Sequence, residues 1–340
     1  MYKFKSETNE IEGVYQIKID TPFPVKFVSL YLFKIDDTIV LFDSGLDMGR
    51  WGKIFFSCLR NLNISINDID YCIVSHMHID HIGLLKKLKQ KNPDLKILMH
   101  DITHEIVKWE KNDANLTELE QEAKKIAKDL IKFGISNEQA NRVVQFFTYW
   151  PKFLTYQKPD IIIHDGDLFL ECLEIIWTPG HSFGHICVFN KNTKFLFSGD
   201  HILSRITPHI GNFVIPKYLS EKYQEHDFKN ILKHYLNSLD RIDKLEPKVI
   251  FPAHQEIIYN PHERILEIKE HHKNRLAEIS QLIQNNPMTP FKISQIHFGE
   301  DLDEINSYMA LSEVLGHLFY LEEQDKVKMT EENGKILYYT

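Results

Sequence analysis

Cysteine is scarce in this chain, whose 340 residues contain four, at Cys58, Cys72, Cys172 and Cys187. They are widely spaced and form no C-x-x-C pair, which excludes a disulfide-stapled secreted domain and predicts free thiols in a reducing compartment. Glycine and proline contribute only 14 and 13 residues, so collagen-like and linker-dominated chains are excluded. With 43% hydrophobic and 26% charged residues the composition is that of a globular protein, and the length predicts roughly two domains.

Long hydrophobic runs and an excess of positive charge are also missing. No stretch reaches the ~18 consecutive apolar residues of a membrane span, and residues 1–7 contain no apolar core of a secretory signal. We therefore expect a soluble, cytoplasmic protein without a membrane partner. The 40 Lys and Arg residues against 48 Asp and Glu residues give a net charge of −8, which argues against a general polyanion binder.

Short strand patterns alternate with helical patterns along the first part of the chain. Residues 27–43 have the pattern of a β-hairpin, and residues 71–75 and 96–100 that of buried strands. Strand patterns return after a largely helical segment at 103–158, which we interpret as an insertion between two halves of the sheet structure. This alternation predicts an α/β or α+β fold.

The last 79 residues have a different pattern, with three predicted helices and two closing strands. The strands flank Asn333-Gly334, a strong hairpin signal. Three helices and a hairpin predict a winged-helix-like domain at 262–340, following a catalytic domain at 1–261. The tail contains 8 Lys and Arg residues but 14 Asp and Glu residues. Because phosphate binding relies on basic contacts, we expect this domain to be a structural or dimerisation element and not a nucleic-acid binder.

Histidine is abundant, with 18 residues, and one group is dense. Directly after the predicted strand 71–75 stands His76-Met77-His78-Ile79-Asp80-His81. Imidazole and carboxylate together suit a borderline divalent ion such as Zn²⁺. His76 and His78 on an extended turn can point the same way, while Asp80 and His81 fall on the next turn. One loop can therefore serve two adjacent ions.

This motif resembles the His-x-His-x-Asp-His signature of the metallo-β-lactamase fold superfamily. Three further segments, each after a predicted strand, resemble the family's remaining ligand loops: Thr178-Pro179-Gly180-His181, Phe197-Ser198-Gly199-Asp200 and Pro252-Ala253-His254. Upstream, Leu41-Phe42-Asp43-Ser44-Gly45 resembles the family's Asp-x-Gly turn. The resemblance covers residues 11 to about 262 and implies a four-layer αββα sandwich.

The resemblance also implies a role for each matching residue. Seven residues would hold two metal ions as in glyoxalase II: His76, His78 and His181 the first, Asp80, His81 and His254 the second, with Asp200 bridging both. Asp80 would orient the nucleophile or pass a proton to the leaving group, and Asp43 would orient a ligand histidine. We expect two Zn²⁺ ions, with Fe or Mn as alternatives, and a hydroxide between the ions as the nucleophile.

Departures from the family pattern narrow the reaction class. His78 stands where the family's di-iron oxygen reductases have Glu, which disfavours redox chemistry. Asp200 stands where true β-lactamases have Cys or a non-ligand, which disfavours antibiotic hydrolysis. Gly180-His181-Ser182-Phe183-Gly184 matches the G-x-S-x-G nucleophile elbow, but that motif requires a following helix. A strand pattern follows here, so we do not expect a serine hydrolase.

The leading hypothesis is a metal-dependent hydrolase that cleaves an ester, thioester or lactone of a small metabolite. One alternative is a phosphodiesterase or single-strand endoribonuclease with the same metals. A second is a metal-binding sensor or scaffold that acts through the winged-helix-like domain. The resemblance also implies that the insertion at 103–158 caps the active-site groove. Candidate pocket residues are His185 and, in that insertion, Tyr149 and Trp150. We expect His271-His272 to be solvated surface.

Overall fold

Two β-sheets form the part of the chain that contains the predicted ligands. The computed structural model describes residues 3–211 and 217–340, so residues 1, 2 and 212–216 of the predicted catalytic domain lie outside the described residues. The first sheet has seven strands in chain order: β1 (Ser6–Ile11), β2 (Val14–Asp20), β3 (Phe27–Ile35), β4 (Thr38–Phe42), β5 (Tyr71–Ile73), β6 (Lys96–His100) and β7 (Ile161–Ile163). The second sheet has five: β8 (Leu168–Phe169), β9 (Leu173–Trp177), β10 (Ile186–Asn190), β11 (Phe195–Gly199) and β12 (Val249–Pro252).

Strand direction places several loops at a shared edge of each sheet. Strands β1 to β4 pair antiparallel, and β4 to β7 pair parallel. The second sheet has the order β12-β11-β10-β9-β8, with β11 and β12 as its parallel pair. Because parallel strands end at the same edge, the segments after β4, β5 and β6 lie together, as do those after β11 and β12.

The two sheets pack face to face around one hydrophobic core. Residues of the first sheet, among them Phe42, Ile73 and Leu98, share this core with Val188 and Phe251 of the second. The sequences of strands that are covered on both faces are continuous apolar runs. The segment 71–75 therefore contains no apolar–polar alternation. The prediction of a mixed α/β sandwich is confirmed.

The chain folds into two structural units, each with its own internal packing. The sheet unit comprises residues 3–111, 152–208 and 241–265. Its helices before residue 111 are α1 (Trp51–Asn61), α2 (Ile79–Ile82), α3 (Leu85–Lys91) and α4 (Asp101–Glu110). The first of these packs against β1 and β2.

The helical unit combines most of the predicted insertion with the C-terminal segment, as residues 112–151, 209–211, 217–240 and 266–340. The helices from residue 112 onward and the closing strands are α5 (Leu116–Lys132), α6 (Asn137–Tyr149), α7 (Lys217–Lys222), α8 (Ile231–Lys244), α9 (Pro261–Leu282), α10 (Pro290–Phe298), α11 (Glu304–Glu323), β13 (Lys328–Glu332) and β14 (Lys335–Tyr339). The division into units falls within α8 and α9. The predicted domain boundary at 261/262 stays a prediction.

The insertion helices have no separate core of their own. Leu311 and Leu315 of α11 complete the apolar cluster between α5 and α6. At the turn between those two helices, Gly134 has a φ of +116° and lies so close to Thr289 that an added Cβ would be 2.6 Å from the Thr289 Oγ1. The Lys335 ammonium donates to the Ile131 carbonyl at 2.7 Å, at the end of α5.

The C-terminal segment contains the three helices and the hairpin that its sequence predicts. Asn333 and Gly334 both have positive φ, +50° and +72°, as a two-residue hairpin turn requires. The winged-helix description of this arrangement stays a prediction. The expectation for the histidine pair in α9 was wrong for His272, which is 1% exposed and contacts His317 of α11.

No helix among residues 3–211 and 217–340 is both long enough and apolar enough to cross a membrane.

Candidate metal centre

The seven predicted ligands come from four segments that follow strands of the sheet unit, and Asp43 comes from a fifth. Asp43 directly follows β4, and His76 lies three residues beyond β5. His78 is the N-cap of the short helix α2, which carries Asp80 and His81. The other three ligands lie after strands of the second sheet, at His181 beyond β9, Asp200 beyond β11 and His254 beyond β12.

Four of these residues form a first cluster, made of His76, His78, His181 and Asp200. The Nδ1 of His78 lies 2.9 Å from the Nε2 of His76 and 3.0 Å from the Nε2 of His181. The Oδ2 of Asp200 lies 3.3 Å from the same His181 nitrogen. Ligand atoms of a tetrahedral zinc site are separated by about 3.3 Å, given Zn–N distances of about 2.0–2.1 Å. The spacing therefore fits one cation among these atoms.

Asp80, His81 and His254 form a second cluster. The Nε2 of His254 lies 3.5 Å from Asp80 Oδ2 and 3.4 Å from Asp200 Oδ1, and the Nε2 of His81 lies 3.6 Å from the same Asp200 oxygen. Asp200 thus turns one carboxylate oxygen to each cluster. The structure brings together all seven predicted ligands.

The hydrogen bonding of two buried atoms indicates whether a cation fits this site. The Nε2 of His81 and the Oδ1 of Asp200 have no hydrogen-bond partner, although unpaired buried polar atoms are costly. Both atoms face the space that ligand geometry reserves for a cation. A donor set of imidazole nitrogens and carboxylate oxygens matches the preferences of zinc, so the residues present fit a metal ion.

Charge is unevenly distributed between the clusters. Burial and the neighbouring histidines hold the pKa of His76 well below its usual value, so this ring is neutral. Burial opposes protonation of His81 as well, but the carboxylates of Asp43, Asp200 and Asp80 raise its pKa to about 10. The second cluster therefore attracts positive charge, which protons supply when no metal ion does.

Strand β3 positions the last ligand through three successive contacts. The Tyr31 hydroxyl donates to the Pro252 carbonyl at 2.6 Å, and the Ser29 amide donates to the Ala253 carbonyl at 2.7 Å. The Nδ1 of His254 then donates to the Phe27 carbonyl at 2.6 Å. This last bond leaves the Nε2 lone pair of His254 free to bind a metal.

Two family models match the sequence. The model of the metallo-beta-lactamase superfamily matches residues 24–254, and that of the metallo-beta-lactamase-like C-terminal domain matches residues 276–340. The chain belongs to the metallo-beta-lactamase superfamily. It is a metal-dependent hydrolase of that superfamily, and its predicted fold and enzyme class are confirmed.

Individual relatives of this superfamily resemble most of the chain. The "Probable metallo-hydrolase YqjP" of Bacillus subtilis is 25% identical over 333 residues, which cover 97% of this chain and 98% of that protein. An "Atrochrysone carboxyl ACP thioesterase" of Aspergillus fumigatus is 20% identical over 249 residues, or 72% of this chain and 56% of that protein. A crystal structure of a beta-lactamase domain protein from Burkholderia ambifaria has a TM-score of 0.79 at 22% identity and covers 98% of this chain and 94% of its own.

His185 does not line an open pocket, because it is fully buried. Its Nε2 accepts the Asp200 amide proton at 3.1 Å, and its Nδ1 lies 2.8 Å from the Thr178 hydroxyl. The His185 ring therefore holds the backbone of Asp200, the residue that faces both clusters, by a hydrogen bond. The elbow at Ser182 is also excluded, since strand β10 and not a helix follows it.

The two aromatic candidates of the insertion lie in the helical unit. Tyr149 ends α6, is 56% exposed, and lines a groove of about 270 Å³ with Phe146 and Ile305. The Trp150 ring stacks on Phe146. That the insertion caps the metal centre stays a prediction.

Sequence reasoning missed Ser75, Thr178 and Tyr31, which contact the ligands or the backbone that carries them. The sequence does contain a signal for Ser75. It is the only aliphatic hydroxyl in the segment Tyr71-Cys72-Ile73-Val74-Ser75, and it directly precedes the first predicted ligand. The partners of Tyr31 have no such signal, because Pro252 lies 221 residues away in the chain.

Proposed function

We propose that the protein is a two-metal hydrolase that cleaves an ester, thioester or lactone of a small metabolite. The observation that carries this proposal is the position of Asp200, whose two carboxylate oxygens face two separate groups of histidine nitrogens. Two divalent cations in these positions, zinc in our proposal with Fe or Mn as alternatives, would supply Lewis acidity toward a carbonyl oxygen and a water molecule. His76, His78 and His181 would hold one ion and Asp80, His81 and His254 the other, with Asp200 shared.

The chain's own residues suggest how a substrate approaches. Within the first cluster His78 and His181 are partly exposed, whereas His76 is fully buried. Of the carboxylates, Asp80 and the shared Asp200 have 11% and 9% of their side chains exposed, whereas Asp43 has 1%. The open side of the centre is therefore the side of His78, His181 and Asp80. Asp80 can reach a substrate there, and we assign it the transfer of a proton from the attacking water molecule to the leaving group, which returns the carboxylate to its starting state.

Charge and one relative support the substrate class. The tail has 14 acidic against 8 basic residues, which weighs against the phosphate contacts that an RNA substrate needs. A relative that carries the name of a thioesterase covers 72% of this chain, and a thioester carbonyl suits the same two-cation chemistry. We propose a small-molecule substrate and a protein that binds neither nucleic acid nor membrane.

The test is a metal count combined with a substrate panel. We expect the purified 340-residue chain to bind two metal ions, to hydrolyse members of a panel of thioesters, esters and lactones, and to lose this activity with a chelator and regain it with Zn²⁺. We expect Asp80→Asn to lower turnover by about 10²–10⁴-fold, as loss of a general acid does. The surface variant Asp94→Asn serves as the matched control.

Three outcomes would overturn the proposal. Absence of bound metal would exclude the mechanism, and so would full turnover in Asp80→Asn. Cleavage of labelled single-stranded RNA without cleavage of the panel, with affinity falling as salt rises, would identify a phosphodiesterase instead.

A further inference from the structure

A single hydroxyl connects Asp43 with a metal ligand that it does not touch directly. Ser75 lies between β5 and His76 and is fully buried. Its Oγ lies 2.8 Å from Asp43 Oδ2 and 2.9 Å from His76 Nδ1. Its backbone amide donates to the other Asp43 oxygen at 2.7 Å. Ser75 is therefore held against the carboxylate by two contacts and against the His76 ring by one, and its Oγ lies at the longer distance of 3.3 Å from the Nδ1 of His81.

The number of available protons decides the direction of these bonds. The Ser75 hydroxyl has one proton, and an ionised carboxylate can only accept. If that proton went to His76, an oxygen lone pair would face Asp43 Oδ2 at 2.8 Å, which is repulsive. The hydroxyl therefore donates to Asp43 and accepts from His76. The proton of this bond then sits on His76 Nδ1, and the His76 Nε2 faces the first cluster.

Asp43 acts on the second cluster without an intermediary. The Nδ1 of His81 donates to Asp43 Oδ2 at 2.8 Å, which leaves the Nε2 of His81 as the free nitrogen. One buried carboxylate thus orients one ligand of each cluster, His81 by direct contact and His76 through the serine.

We propose that Ser75 is a positioning residue that fixes the tautomer of His76 for metal binding and links the two metal positions through Asp43. This inference rests on the two-cation site proposed above. Ser75 touches no substrate or cation itself. Its effect is on which nitrogen of His76 presents a lone pair, and hence on the affinity of the first cluster for its ion.

Tight packing holds the Ser75 side chain in this position. The Ser75 carbonyl accepts the Ile186 amide of β10 at 2.9 Å. From the other side Gly199 approaches so closely that an added Cβ would lie 2.8 Å from the Ser75 Cβ and 3.0 Å from its Oγ. Because two strands of the second sheet, β10 and β11, contact this residue, the hydroxyl has little freedom to bind another partner.

Removal of the hydroxyl would leave the His76 Nδ1 proton without a buried acceptor. The buried Nδ1–H would then remain unpaired, which destabilises the folded protein, or the proton would move to Nε2. Nε2 is the nitrogen that lies 2.9 Å from His78 Nδ1. Either change opposes metal binding at His76. Loss of a group that orients a metal ligand typically costs about 10–100-fold in metal affinity.

The test compares Ser75→Ala with Ser44→Ala in the 340-residue chain. Ser44 is an equally buried hydroxyl in the same turn as Asp43, but it donates to the His81 carbonyl and not to an imidazole ring. Zinc affinities are measured by competition with a chromophoric chelator. We expect one of the two zinc ions to bind about 10–100-fold more weakly in Ser75→Ala, and both to bind as in the wild type in Ser44→Ala.

A second measurement needs no variant and so does not depend on how Ser75→Ala folds. In zinc-loaded wild-type protein with ¹⁵N-labelled histidine, we expect a slowly exchanging proton on His76 Nδ1 with a nuclear Overhauser effect to the Ser75 β-protons. Absence of that proton, or equal zinc affinities in the two alanine variants, would overturn the role of Ser75. Wild-type protein that binds fewer than two ions would instead overturn the two-cation site.

Discussion

At the scale of single residues, histidine shows how one side chain serves opposite purposes in this protein. In the metal centre His76, His81 and His254 each use one nitrogen for a protein partner and turn the other toward the cation position. In the helical unit His317 Nδ1 donates to the Glu313 carbonyl at 2.7 Å, and its Nε2 lies 3.1 Å from His272 Nδ1. The His317 Nε2 must therefore accept from His272, whose own Nε2 has no partner. Both rings are neutral and serve packing.

This buried pair predicts a loss of stability in acid. Burial, with the charge of neighbouring groups, lowers the pKa of His272 to about 2 and that of His317 to about 3. Below a pH of about 6.5, the ordinary histidine pKa, the unfolded chain takes up protons that the folded chain excludes. The free energy of unfolding should therefore fall as the pH decreases, by roughly 1.4 kcal/mol per pH unit for each ring.

The measurement is urea unfolding between about pH 7 and pH 4.5, a window that spans the ordinary histidine pKa. We expect the double variant His272→Leu/His317→Leu to have a flatter pH dependence than the wild type, whereas His164→Gln, at an exposed position, keeps the wild-type slope. The metal ligands contribute equally to the pH dependence of unfolding in all three proteins. An unchanged slope in the double variant would contradict the prediction.

At the scale of elements, the helices of the insertion depend on the C-terminal segment. The Phe291 amide donates to the Phe133 carbonyl at 3.0 Å, next to the point where Gly134 meets Thr289, the N-cap of α10. The turn between α5 and α6 is thus built against the start of α10. A side chain at residue 134 would push this turn away from the start of α10.

Two glycine variants isolate this contact. Gly134 and Gly299 both have strongly positive φ, +116° and +99°, but an added Cβ clashes only at Gly134 and meets nothing within 4 Å at Gly299. Both alanine variants lose stability through backbone strain. We expect Gly134→Ala to lose about 1–3 kcal/mol more in the free energy of unfolding, the usual cost of overpacking. Equal losses in urea unfolding would show that the turn relaxes freely.

At the scale of the whole molecule, the metal centre joins segments from most of the sheet unit. Its predicted ligands extend from His76 to His254, and Asp43 and Phe27 contact them from still earlier in the chain. An ion bound there stabilises the folded state only, because the unfolded chain does not bring these residues together. Metal binding is therefore linked to the stability of the fold.

Chelation should lower thermal stability by this linkage. At a free zinc concentration about 1,000 times the dissociation constant, the ion contributes about 4 kcal/mol, so the metal-free protein should melt at a clearly lower temperature. In Asp200→Ala, which removes the residue shared by both clusters, a chelator should change the melting temperature far less. Identical melting of the wild type with and without chelator would count against the linkage.

Much of the fold and of the ligand set follows from local sequence patterns. The segment 71–75 contains the strand β5 (Tyr71–Ile73) because its residues are largely apolar, and Asn333-Gly334 forms a hairpin turn because both residues tolerate positive φ. His76 to His81 identify a metal loop by type and spacing. His272 was misjudged because the alternation of faces on a helix does not reveal that α11 covers one of them.

The sequence by itself determined which residues bear the chemistry, since each ligand type and its place after a strand are local properties. Only the tertiary structure decided how those residues are oriented. The nitrogen that His254 presents depends on a carbonyl 227 residues away, and that of His76 on a hydrogen bond to Ser75, whose hydroxyl is in turn oriented by Asp43. These hydrogen bonds join segments that meet only when neighbouring strands pair and the two sheets pack, so their partners are set by the folded geometry and not by any pattern along the chain.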